Sequence, residues 1–343
     1  MALCLGLLIF SFIFTSILVV PFINLLYNLK FQRLEEKPTS KKLAATSLFF
    51  KMHKSKAGTP VGGGLLIITV VFLLYIFLFP LLSYLGVYIS SAFSIKDELN
   101  IIFFSFISFG LLGFYDDVMK FFGLAKKGIY GLRARHKFLI QWILGFIISF
   151  MLYFNLKINF VYFPILGIVN LGIWYIPFAA FTIVAFANAF NITDGLDGLA
   201  CGLLVIFLFA FWILSYKMFD TVLSVFIPLW IGAIMAFLYF NVYPARIFLG
   251  DVGALSFGAT LAVIGLLLGK VMAVIVIGGF FIIEAASSLL QIISLRFFKR
   301  KIFPIAPFHL ALQARGWEEP KIVMRAWLAQ IMLAIFGLWL AMI

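Results

Sequence analysis

Acid is scarce in this chain: 13 Asp and Glu stand against 26 Lys and Arg in 343 residues, and all charged residues together make up only 11%. A soluble domain carries about a quarter charged residues, so that class is excluded. Cysteine is scarcer still, at two. Cys4 and Cys201 lie in or beside apolar stretches, which suits small core residues and argues against a disulfide framework or a thiolate metal site. The alternating short strands of a membrane β-barrel are absent. The glycine-bearing segment 54–64, KSKAGTPVGGG, lacks the GxxxxGK[ST] spacing of a P-loop, so it gives no support to a nucleoside triphosphatase. The first apolar stretch, near residues 5–26, lacks a basic leader and a small-residue cleavage site, and a retained helix is expected there.

Apolar matter fills the rest. Hydrophobic residues make up 65% of the chain, with 44 Phe, and runs of roughly 20 residues, long enough to cross a bilayer, recur from end to end. The expected fold is an all-α polytopic membrane protein of about ten transmembrane helices, forming one membrane domain over residues 1–343. The runs fall near 5–26, 62–88, 99–115, 138–155, 168–190, 199–216, 221–240, 252–268, 271–295 and 325–343. Of the 26 basic residues, 22 sit in the loops 27–61, 116–137 and 241–251 and the segment 296–325, all on one side of this arrangement. That bias marks the rich side as cytoplasmic and both termini as extracytoplasmic.

Five of the 13 acids occupy three glycine-flanked islands: GFYDD (Asp116, Asp117), NAFNITDGLDGLA (Asp194, Asp197) and FLGDVG (Asp251). Carboxylates beside membrane-length apolar runs are costly to place and mark function by default. Two spans separate each island from the next, and two more lead to His309. An even number of crossings returns the chain to one face, so the islands, His309 and the basic loops are expected together at the cytoplasmic surface. A carboxylate cluster in a cationic surround suits a divalent metal and phosphate-bearing substrates.

Each island also has a plainer reading. Asp116 and Asp117 point about 100° apart on a helix, so one of them is expected to face a ligand squarely; Lys120, within helical reach of both, is either a phosphate contact or an ordinary ion-pair partner. Asn188, Asn191, Asp194 and Asp197 recur every three residues. Their steps drift about 60° on a continuous helix, and Gly195 and Gly198 point instead to a break. A simple turn needs fewer polar groups than this. Asp251 taken alone reads as an N-cap. His309, among Pro304, Pro307 and a basic cluster, is expected as an exposed loop residue with a phosphate or proton-transfer role. Glu284 is the one mid-span acid, expected against a polar partner such as Gln291.

The blocks GFYDDVMK, NAFNITDGLDGLA and NVYPARIFLGDVGALSFG resemble those of the polyprenyl-phosphate N-acetylhexosamine-1-phosphate transferases. KAGTPVGGG, GLRARHKFLIQ and IFPIAPFHLALQARGWEEPKIVMRAW narrow the likeness to the phospho-N-acetylmuramoyl-pentapeptide transferases of peptidoglycan synthesis. The likeness runs in order from Lys56 to the C-terminus. It implies a Mg²⁺-dependent enzyme of the bacterial inner membrane, acting at the cytoplasmic face. The reaction implied is transfer of phospho-MurNAc-pentapeptide from UDP-MurNAc-pentapeptide to undecaprenyl phosphate, giving lipid I and UMP. It also implies a homodimer among membrane lipids, with no nucleic-acid partner. Residue by residue, it makes Asp116 and Asp117 the catalytic pair, with His309 and Asp251 also catalytic, and Asp251 and Asp117 the metal ligands. Substrate contacts fall on Lys56, Lys120, Lys137, Asn188, Asn191, Asp194, Asp197, Asn241, Phe248, Gln291 and Ala306. Two departures stand out. Where the family has three consecutive histidines this chain reads His309, Leu310, Ala311, and Val61 stands where a threonine is usual.

Two other readings compete. A related polyprenyl-phosphate GlcNAc-1-phosphate transferase would use another UDP-sugar. An ion-coupled transporter is disfavoured, because transporters hold their acids near the bilayer midplane and only Glu284 lies mid-span here.

Overall fold

The computed structural model describes residues 2–33, 56–121, 132–164 and 166–343. Lys54 of the glycine-bearing segment, Gly131 at the head of GLRARHKFLIQ, and Lys37, Lys41, Lys42, Lys51, Lys126 and Lys127 of the basic loops lie outside them. The described residues form twelve α-helices: α1 Ala2–Asn28, α2 Gly63–Tyr84, α3 Ile95–Phe121, α4 Ala134–Phe150, α5 Tyr175–Thr193, α6 Leu199–Lys217, α7 Thr221–Asn241, α8 Gly250–Leu267, α9 Val271–Ile277, α10 Gly279–Ile293, α11 Phe308–Ala314 and α12 Glu319–Met342. Ten helical stretches are long and apolar enough to cross a membrane, matching the expected number.

The differences from expectation have local causes. The start of the run expected from residue 168 belongs to a β-hairpin, β1 Phe160–Phe163 paired antiparallel with β2 Gly167–Asn170. Its residues are aromatic and β-branched, which favours a pleated ribbon, and Gly167 turns the chain at φ 76°. The run expected at 271–295 is interrupted at Gly278, where α9 ends and α10 begins. The run expected to stop at 115 continues to Phe121, so Asp116 and Asp117 lie within the helix rather than beyond it.

Burial follows the logic of hydrocarbon, not of water. On α1 the inward stripe is Cys4, Leu7, Ser11, Thr15, Val19, Ile23 and Leu26, while Ile9, Phe10, Ile13 and Ile17 are exposed. The buried side is the smaller and more polar one, as expected where lipid tails are as apolar as leucine and packing drives association. Ser11 Oγ donates to Leu229 O at 2.6 Å, tying α1 to α7. The innermost helix is α8, buried from Val252 to Leu267 and packed between α3 and α5. Beside it Phe106, Trp230 and Phe257 pack at centroid separations of 5.1–5.7 Å, within the range of favourable aromatic pairs.

The approach of α3 to α8 positions the polar centre. A Cβ on Gly113 would lie 2.1 Å from the Asp251 carbonyl oxygen, so only glycine allows the two backbones this close. Asp116 and Asp117 follow within about one turn, and are therefore delivered against the first turn of α8.

Candidate active site

Three of the expected acids meet where the last turns of α3 face the start of α8, with two lysines between them. Asp116 Oδ1 accepts from the Leu132 backbone N–H at 2.6 Å, and its Oδ2 accepts from Lys137 Nζ at 3.0 Å. Lys120 Nζ lies 3.0 Å from Asp116 Oδ2, 3.7 Å from Asp117 Oδ1 and 2.8 Å from Asp251 Oδ2. Lys137 also donates to Asp251 Oδ2. Asn191 completes the group, donating to Asp251 Oδ1 at 3.1 Å. Asp116 and Asp117 are both nearly sealed, at 2% exposure. They diverge as helical neighbours must: Lys137 of α4 meets the first and the start of α8 the second, so both stay engaged.

The N-cap reading of Asp251 is also corrected. It sits inside the first turn of α8, whose N-cap position is Leu249, without a side-chain cap. Asp117 takes the capping role from the neighbouring helix: its Oδ2 accepts from the Val252 backbone N–H at 3.2 Å. An anionic group at a helix N-terminus satisfies an orphan donor and the positive end of the dipole. Asp251 is thereby left free to face the lysines.

A second ion cluster forms on the chain that follows α5. Lys56 Nζ lies 2.6 Å from Asp197 Oδ1 and 2.6 Å from Glu319 Oε1. The same Glu319 oxygen accepts from the Asp197 backbone N–H at 2.6 Å, and Asp197 Oδ2 accepts from the Ala245 N–H at 3.0 Å. Glu319 opens α12, so the last span is fastened directly to this island. Asp194, just past the end of α5, has its carboxyl pushed up to about 7, by burial first and then by repulsion from Asp251, with Lys56 and Arg33 working against the shift. The expected break after Asn191 is observed: α5 ends at Thr193, and Gly198 adopts φ 76° before α6.

The remaining expected residues divide between lining and scaffolding. Asn188 donates to Gln141 Oε1 at 2.7 Å and to Val184 O at 2.8 Å, which turns it toward α4 and away from Asp251. Asn241 donates to Ile247 O at 2.9 Å, closing the 241–249 loop. The backbone of Phe248 stitches that loop to residues 60–63, accepting from the Gly62 and Gly63 N–H groups and donating to Pro60 O. Gln291 accepts from the Ile302 and Phe303 N–H groups and donates to Phe303 O, ordering the loop that holds Ala306 and the cis Ala306–Pro307 bond. It is therefore not the partner of Glu284.

That partner is His309, whose Nδ1 is 2.9 Å from Glu284 Oε2. His309 is not an exposed loop residue; it is 2% exposed, in the first turn of α11. The short helix is pressed inward because the next two residues, Leu310 and Ala311, are buried apolar groups. The residues that sequence reasoning passed over are thus Glu284 as a partner of His309, Glu319 as a partner of Lys56, and Gln141 as a partner of Asn188. The signal for the first two was present, since each is an acid at a membrane-spanning helix, where an unpaired charge is untenable.

In charge the α3–α8 cluster sets three carboxylates against two ammonium groups, and the second sets two against one. Among the described residues no three acidic, His or Cys side chains are spaced as a complete metal cage. An open set of carboxylate oxygens, with ammonium groups now among them, suits a hard cation that takes one or two carboxylates and completes its shell with substrate phosphates.

The comparisons with known proteins agree with this geometry. A model of glycosyl transferase family 4 matches residues 99–269, from α3 to just past α8. The phospho-N-acetylmuramoyl-pentapeptide-transferase of Clostridium perfringens (strain SM101 / Type A) is 37% identical over 317 residues, covering 91% of this chain and 89% of the relative. The proteins of that name from Rickettsia canadensis (strain McKiel) and Thermodesulfovibrio yellowstonii are each 35% identical, covering 83% and 84% of this chain and 80% and 81% of their own. With likeness of this depth over nearly the whole length, and the motif blocks folded into one polar centre, the chain belongs to the phospho-N-acetylmuramoyl-pentapeptide-transferase family.

Proposed function

We propose that this membrane transferase moves phospho-MurNAc-pentapeptide from UDP-MurNAc-pentapeptide to undecaprenyl phosphate, yielding lipid I and UMP. The observation that carries the reading is the junction of the two acid–lysine clusters at one end of the bundle. One suits a phosphoryl-transfer centre, and the other the nucleotide end of a diphosphate-bearing substrate. The names of the relatives support the transferred group, phospho-N-acetylmuramoyl-pentapeptide.

In the reaction an oxygen of the lipid phosphate forms a bond to the sugar-bearing phosphorus of the UDP-sugar. The phosphoanhydride bond breaks, and UMP leaves with that bond's oxygen. Such transfer depends on alignment and charge neutralisation. Lys120 and Lys137 hold the phosphates at the α3–α8 cluster, exchanging their carboxylate contacts for phosphate oxygens. Asp116 or Asp117 takes a proton from the attacking lipid phosphate when that group arrives protonated. Lys56, held by Asp197 and Glu319, binds the nucleotide-side phosphate. Asp117 and Asp251 are the residues that would hold Mg²⁺, which supplies neutralisation of phosphate charge when bound. A single membrane domain, present as a homodimer, carries the site at the cytoplasmic face of the plasma membrane, with both termini outside; the 22 of 26 basic residues on the site's side support that orientation.

Purified protein given undecaprenyl phosphate, Mg²⁺ and UDP-MurNAc-pentapeptide is expected to release UMP and to stop when the metal is chelated. A second reading, transfer of GlcNAc-1-phosphate, draws on Leu310 and Ala311 standing in the family's histidine positions. Turnover with UDP-GlcNAc alone would replace the first reading with the second.

A further inference from the structure

Glu284 is fully buried, on a membrane-spanning helix, and is absent from the chemistry just described. Such a carboxylate must be compensated where it stands. Among the described residues the hydrogen bonds to its carboxylate come from one residue: the His309 backbone N–H donates to Oε1 at 3.2 Å and Oε2 at 3.3 Å, and His309 Nδ1 lies 2.9 Å from Oε2. With Glu284 ionised both oxygens accept, and Nδ1 is then the ring nitrogen that carries the hydrogen. Nε2 is then the ring atom left to other partners. It is directed at the backbone after Asp194, where a Cβ on Gly195 would fall 2.4 Å from it. Glycine at 195 is thus what lets the imidazole edge reach the island.

We infer that Glu284 is a positioning residue for the transferase: it holds His309 with hydrogen on Nδ1 and Nε2 facing the 194–197 turn, as the imidazole atom that meets the UDP-sugar. The inference rests on the transferase reading and adds to it a residue and a ring orientation. It also accounts for the missing histidines. Successive residues of a helix point about 100° apart, and Leu310 and Ala311 are directed into the packed interior, at 4% and 3% exposure. Imidazoles at those positions would not share His309's outlook, so a single histidine, oriented by one carboxylate, meets the need at this spot.

Glu284→Gln keeps the volume but can offer its amide N–H to Nδ1, so it allows the opposite tautomer. The first measurement needs no variant. ¹⁵N spectra of the ring, assigned by difference from His309→Gln among the three histidines of the chain, should show hydrogen on Nδ1. A bare Nδ1 in the wild type overturns the inference. In Glu284→Gln that signature should weaken, and kcat should fall roughly 10- to 100-fold, the range for loss of an outer-shell carboxylate behind an imidazole. KM for the UDP-sugar should stay within about threefold, with the melting midpoint in detergent little changed. Adding His309→Ala to Glu284→Gln should cost little more than His309→Ala alone, because Glu284 acts through the ring. Additive losses, or an unchanged kcat, refute the role. Wild-type protein inactive with every UDP-sugar would defeat the transferase reading, while the ¹⁵N result would still decide the geometry of the dyad.

Discussion

Both ends of this bundle bury acids, and they treat them differently. At one end Asp116, Asp117, Asp251, Asp197 and Glu319 share Lys120, Lys137 and Lys56, delivered from six separate parts of the chain. At the other, Glu98 in the first turn of α3 accepts from Ser91 Oγ at 2.5 Å, and Asp220 caps α7 by accepting from the Leu223 N–H at 2.9 Å. Burial pushes the Asp220 carboxyl upward. In this second pair a neutral donor from a nearby residue meets one oxygen of each acid, and the pair fastens the helix starts. Lysine cations compensate the first, within one helix for Lys120 on Asp116 and across elements for the rest, and a cation paired with a carboxylate is a group that a phosphate can recruit. Burial of an acid therefore does not by itself mark chemistry; the charge and origin of its partner does.

The contrast can be broken by substitution. Asp117→Asn or Asp251→Asn should lower UMP release by about a thousandfold, the upper range for loss of one preorganised electrostatic group. A mild effect would remove the α3–α8 cluster from the centre of the mechanism. Lys56→Met leaves Asp197 and Glu319 against each other without their cation. Breaking a buried pair in this way costs about 3–5 kcal/mol, to be seen as a lower melting midpoint together with a raised KM for the UDP-sugar. Gly113→Val drives a side chain into the Asp251 carbonyl. Overpacking of this kind costs about 1–3 kcal/mol, and activity should fall further than stability, because Asp251 moves relative to Asp116 and Asp117.

Asp194 gives a pH test with a definite sign. The folded state keeps its proton up to about 7, whereas the unfolded chain releases it near 3.8. Between those values the folded state binds more protons, so this residue's contribution to stability is lost as pH rises through that window and is constant above it. Melting midpoints from pH 4 to 8 should show the decline, and Asp194→Asn should flatten it. The smallest effect is expected at the opposite end, where Glu98→Gln should leave UMP release within about twofold. A large loss there would mean that the two ends are coupled.

The number of spans and the gathering of the islands at one end were legible in the sequence, because apolar length and crossing parity are one-dimensional quantities. The helix break after Thr193 was legible too, from its two glycines. The hairpin at 160–170 was not, since its first strand fell between the expected runs and its second merges into the apolar run from residue 168. Nor was the burial of His309, which depends on Leu310 and Ala311 finding a core. Glu284 was visible as an anomaly, but the residue assigned to it, Gln291, lies on the same helix, and its actual partner comes from the next one.

The sequence by itself determined that this is a membrane protein of ten spans, which acids and bases share one face, and which family its motif blocks belong to. Composition and order are enough for those. Only the tertiary structure decided who pairs with whom: Asp117 rather than Asp251 satisfying the start of α8, Glu319 behind Lys56, Glu284 behind His309. The reason is that a buried charge takes whichever counter-group the packing delivers within about 3 Å, and a contact of that range across 25 to 263 residues of separation leaves no periodic trace in the chain.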